Sequence, residues 1–117
     1  MKIMDEEGFI SNVFGIYLSE NNTLFWELSR GYRGLTAIDP KKDKVGIIDY
    51  NINFRAVYHR ADIHGIFHWA LIEENLLYDI IESEPGAFDR FLEIVKSEGL
   101  IDPELDEKIY NEYFPLY

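Results

Sequence analysis

The chain has 117 residues, of which 47% are hydrophobic and 15% aromatic, with no cysteine and a formal net charge of −11. That length suits one domain, 1–117, with an ordinary core, and the aromatic content argues against disorder. Without cysteine there are no disulfides, no thiolate metal sites and no cysteine nucleophile, which favours a reducing, cytoplasmic setting.

The first residues form no secretory leader, and the longest apolar run, Trp69 to Ile72, is far too short to span a membrane. Charge is unevenly placed. Residues 1–60 hold eight acids and eight bases, whereas 61–117 hold fourteen acids and three bases, so the whole net charge falls in the second half. Such a surface repels nucleic acid and anionic membrane and suits a cationic partner or simple solubility.

In chain order, Asp5 to Phe14 reads as a short helix, with Phe9, Val13 and Phe14 on one face and acids in its first turn. Ser19 reads as the N-cap of a second helix over 20–30, striped by Leu24, Phe25 and Leu28 and stopped by Gly31. Leu35 to Ile38 is a strand, and Asp39-Pro40-Lys41-Lys42-Asp43 is turn chemistry. From Ile48 to Tyr58 apolar residues alternate with polar ones, with Val57 the exception. This predicts one long half-buried antiparallel strand with a bend near Asn51–Asn53.

Residues 63–72 fit helix or strand. A carboxylate at Glu74 on an apolar face predicts a break near Glu73–Asn75, with a helix after it. Residues 87–98 form an amphipathic helix with Phe88, Phe91, Leu92 and Val95 inward. Asp102-Pro103 opens a last helix striped by Leu105, Ile109 and Tyr113. The architecture expected is α+β: two N-terminal helices, a small antiparallel sheet at about 35–58 and C-terminal helices. A mostly α fold is the alternative.

Few constellations carry chemistry. His64 and His68 stand one helical turn apart if 62 onward is helical, and a small metal-dependent enzyme built on that pair is an alternative reading. The run His-Gly-Ile-Phe-His lacks the glutamate of zinc hydrolases, so no metal, cofactor or catalytic residue is assigned. The acids Asp79, Glu82, Glu84, Asp102, Glu104, Asp106 and Glu107 flank the 87–98 helix, with Tyr110 and Tyr113 nearby. Acids speed capture of a basic partner, and tyrosines anchor it.

The stretch Phe14-Gly15-Ile16-Tyr17-Leu18-Ser19-Glu20, then Leu24-Phe25-Trp26-Glu27-Leu28 and Gly31, resembles the start of the SUKH immunity-protein superfamily. Ser19 stands where that family has proline, and Gly31 is not followed by a second glycine. The resemblance covers about 25 residues. It implies an α+β fold and a cytosolic toxin-neutralising role, and transfers no site residues. The composition also resembles immunity proteins of contact-dependent and polymorphic toxin systems. The function expected is an immunity protein, not an enzyme, that occludes the active site of a cognate basic toxin domain such as a nuclease. It would act as a monomer or weak dimer, without nucleic acid or membrane. An oligomeric accessory scaffold is a further alternative.

Overall fold

Two polar turns decide how the first third folds. In the computed structural model, which describes residues 1–20, 22–28 and 33–101, the Asp5 carboxylate accepts from the backbone N–H groups of Glu7 and Phe9, at 2.9 and 3.0 Å. Gly8 turns at φ 87°. This closes a hairpin between β1 (Lys2–Met4) and β2 (Ile10–Leu18). Ser19 closes the next one. Its N–H and hydroxyl both donate to the carbonyl of Asn22, and its Oγ accepts from the N–H of Asn22. β3 (Thr23–Leu28) follows.

The two expected N-terminal helices are therefore strands. Acid, serine and asparagine side chains that cap helices also fold back on local backbone in turns. The mostly α alternative fails with them. The helices of this α+β chain come last.

β4 (Leu35–Ile38) lies where expected and is followed by the expected turn, in which Asp39 Oδ1 accepts from the N–H of Lys41 at 2.9 Å. The single long strand at 48–58 is not formed. Its ends are β5 (Gly46–Asp49) and β6 (Ala56–His59), which sit in different parts of the sheet. β7 (Gly65–His68) runs directly into α1 (Trp69–Glu73). The expected break follows at Glu74–Asn75, then α2 (Leu76–Ile81) and α3 (Ala87–Ser97).

All strand pairs are antiparallel. The sheet runs β4-β3-β2-β1-β5, with β7 also on β2 and β6 on β7. β2 is the spine. One of its edges carries β3. The other carries β1 opposite residues 10–12 and β7 opposite residues 15–17. The sheet thus forks beside Val13 and Phe14, where β2 bulges.

Val13 and Phe14, successive residues of the strand, point to opposite faces, and both are buried. Phe14 joins the main core against the helices, with Phe67, Leu71, Leu77, Phe91 and Val95. Val13 joins a smaller cluster with Ile3 and Phe25, against which Ile38 and Ile47 pack. Those last two come from opposite ends of the five-strand path. Their meeting in one cluster requires the path to curl on itself.

Candidate functional site

The turn between α2 and α3 gathers the only acids of the expected surface that fall within the described residues. α2 is capped by Glu82, and Ser83 takes φ 57°. Glu84 donates its N–H to the carbonyl of Asp79 at 2.8 Å, and Gly86 at φ 80° starts α3. This return brings Asp79, Glu82 and Glu84 to one end of the helical layer.

A shallow groove of 610 Å³ lies there, with Ile80, Pro85 and Phe88 among its walls and Glu84 and Asp89 bearing its negative charge. Arg33 reaches across it. Its guanidinium lies 5.1 Å from the centre of the Phe88 ring and pairs with Asp89. The other expected contacts, Asp102, Glu104, Asp106, Glu107, Tyr110 and Tyr113, lie outside the described residues, as does the expected last helix.

The remaining acids of this half are mostly spoken for. Glu73 takes a bidentate hydrogen bond from Arg55, at 2.5 and 3.0 Å, and that bond holds its carboxyl below the usual range. Glu74 is bound through both oxygens by Arg90, at 3.0 and 3.2 Å, which also reaches Glu93. The acid that predicted a break in the helix is therefore compensated as well as displaced. Glu82 and Glu84 have no ion-pair partner among the described residues.

The three histidines are separated by the fold. The helical premise for a His64/His68 pair fails, because 65–68 is strand. His64 Nε2 meets the Tyr58 hydroxyl, and His59 Nε2 meets the Tyr78 hydroxyl at 3.0 Å. Among the described residues no three His, Asp or Glu side chains are grouped to hold a metal ion.

His68 is fully buried, and its rings of contact are Phe14, Phe54, Trp69 and Phe91. Its Nδ1 accepts from the N–H of Ala70 at 3.1 Å, capping α1. Nε2 therefore carries the proton of the neutral ring and donates to Glu98 at 2.5 Å. Burial pushes the His68 pKa down, although Glu98 opposes the shift.

Glu98 takes a second hydrogen bond, from the Trp69 indole, at 2.8 Å. Burial works against its charge, but the bonds from Trp69 and His68 and the nearby Arg55 hold its carboxyl below the usual range. Reading the sequence for sites missed Glu98. The available signal was an acid at a helix C-terminus, where the dipole disfavours negative charge unless a specific donor compensates.

A second surface is apolar. Tyr58, Ile66, Ile16, Phe25 and Ile38 are successive cross-strand partners over β6, β7, β2, β3 and β4. The row is buried at Phe25 and opens at Ile66 and Tyr58, with Leu18 and Ile52 also exposed. Among the described residues no helix is long and apolar enough to cross a membrane. No protein-family model, no curated protein and no solved structure matches the chain.

Proposed function

We propose that the chain is a binding protein that captures a basic protein partner through the α2–α3 turn, as an immunity protein captures its toxin domain. The observation that supports this reading is a groove with apolar walls lined by Glu84, with Glu82 in the same turn, neither carboxylate being ion-paired among the described residues. An apolar floor supplies contact area, while unpaired charge at the rim steers encounter and selects a cationic partner. Elsewhere on the helices, acids are held by Arg55 and Arg90 and have less to offer a partner. Occlusion of a toxin's active site is the mode in which such a surface neutralises, and it requires no catalytic group in this chain.

The test is co-expression with the product of the neighbouring reading frame, followed by association kinetics on the purified pair. Rescue of growth is expected, with capture slowing by tenfold or more in the Glu82→Lys/Glu84→Lys variant at low salt and less at high salt. Equal association rates for variant and parent at every salt concentration would overturn the role of this surface. The open end of the apolar row at Ile66 and Tyr58 favours a second reading, a self-associating scaffold. Sedimentation decides it: that reading requires a stable homo-oligomer, which Ile66→Lys would dissociate.

A further inference from the structure

The fork in the sheet leaves a cavity of 220 Å³ on the helical side, between β1–β2 and the end of α3. It is smaller than pockets that take drug-sized ligands, about 300–1,000 Å³. Four of its lining side chains are strongly polar: Lys2, Asn12, Asn53 and Glu98. Lys2 and Asn12 are direct cross-strand partners, so their side chains leave the sheet side by side on one face. Glu98 stands on the other wall, fixed by His68 and Trp69. Stacked Phe14 and Phe54, with ring centres 5.9 Å apart, line the space between.

The cavity therefore has a cationic, hydrogen-bond-donating pole on the sheet and an anionic pole on the helix end. The two poles do not satisfy each other. Lys2 and Glu98 form no ion pair, and the side chains of Lys2, Asn12 and Asn53 have no hydrogen-bond partner among the described residues. Two bonds to Glu98 leave its carboxylate with further acceptor capacity.

We infer that this cavity binds a small zwitterion of the amino-acid class, its ammonium on Glu98 and its carboxylate on Lys2 and Asn12. Both charges contribute. Lys2 and Glu98 are both exposed, so a ligand with a single charge gains one contact and leaves the other pole to water, whereas a zwitterion gains both. Asn53, able to donate and accept, reads the remainder of the ligand.

This inference is independent of the binding surface at the α2–α3 turn. The experiment is a titration of isotope-labelled protein with glycine, L-serine and L-glutamine, following the Trp69 indole and the Asn12 and Asn53 side-chain amides by NMR. At least one of the three is expected to give saturable shifts at all three probes. Its N-acetyl and its carboxamide derivatives should each bind at least tenfold more weakly. Lys2→Met and Asn53→Ala, whose side chains hold nothing else in place, should weaken binding by tenfold or more without altering the rest of the spectrum. Absence of saturable shifts for all three amino acids at about 10 mM would overturn the inference. Affinity unchanged in both variants would do the same.

Discussion

The two faces of the curled sheet are built differently. On the helical face, Phe14, Phe67, Leu71, Leu77, Phe91 and Val95 form a large core sealed by α1, α2 and α3. On the other face, Ile3, Val13 and Phe25 form a small cluster sealed only by the curl of the sheet itself. The acids lie mainly with the first, and the neutral sequence of residues 1–60 makes up most of the second. Helices can turn a charged side outward while burying an apolar stripe, and the half of the chain that supplies them carries the whole net charge. The sheet strands between two apolar clusters have little room for charge.

The comparison breaks most sharply at the seam between β2 and β7. A Cβ at Gly65 would overlap the backbone carbonyl of Ile16, which cannot rotate away, and a Cβ at Gly15 would overlap the Phe67 ring. Gly65→Ala is expected to cost at least the upper end of the ~1–3 kcal/mol of ordinary overpacking. Gly15→Ala should cost less, because a side chain can shift. Chemical denaturation of both variants checks the order, which a reversal would refute.

Truncation then separates the two cores. Leu77→Ala, in the sealed core, should fall near the upper end of ~2–5 kcal/mol, whereas Ile3→Ala in the small cluster should fall near the lower end. Equal losses would mean that the curl packs as tightly as the helical layer.

The acid side of the pH profile tests the His68 network. Its folded pKa is lowered, so the unfolded chain takes up the proton first. Stability from this group is complete above the ordinary histidine value near 6.5. It is lost as pH falls from there towards the lowered folded value. Denaturation midpoints measured from pH 7.5 to 5 should decline, and less steeply in His68→Gln. A profile as steep in the variant would place the acid sensitivity elsewhere. The smallest effect belongs to the surface: Glu82→Lys and Glu84→Lys should each change the stability of the isolated chain by no more than ~0.5 kcal/mol.

The sequence was most legible where one face of an element is wet. α3 alternates cleanly between Phe88, Phe91, Leu92 and Val95 inside and Asp89 and Glu93 outside, and it forms where its pattern places it. β4 and its Asp39 turn were legible for similar local reasons. β2 and β3 were not. Apolar clusters cover both faces of Val13–Phe14 and of Phe25–Leu28, so alternation disappears and the remaining spacing imitates a helical stripe.

The alternation at 48–58 does not mark a buried face, since Ile48, Tyr50, Ile52 and Tyr58 are all exposed, and pairing there depends on the fork. The chain leaves β1 at Asp49 and rejoins the sheet on β7 at Ala56. Of the proposed surface, the acids of the α2–α3 turn could be read from charge alone. The groove beside them, and the crossing of Arg33 over Phe88, depend on tertiary packing that no local pattern encodes.

The fork also sets a timetable. β2 meets β1 and β3 within its own hairpins, but its residues 15–17 must await residues 65–67. At ~5–20 residues per second of synthesis, the edge of that strand waits roughly 3–10 s for its partner. Such non-local pairing slows folding. The exposed edge next to Ile16 is then the segment of the nascent chain with the greatest need of protection from pairing with another molecule.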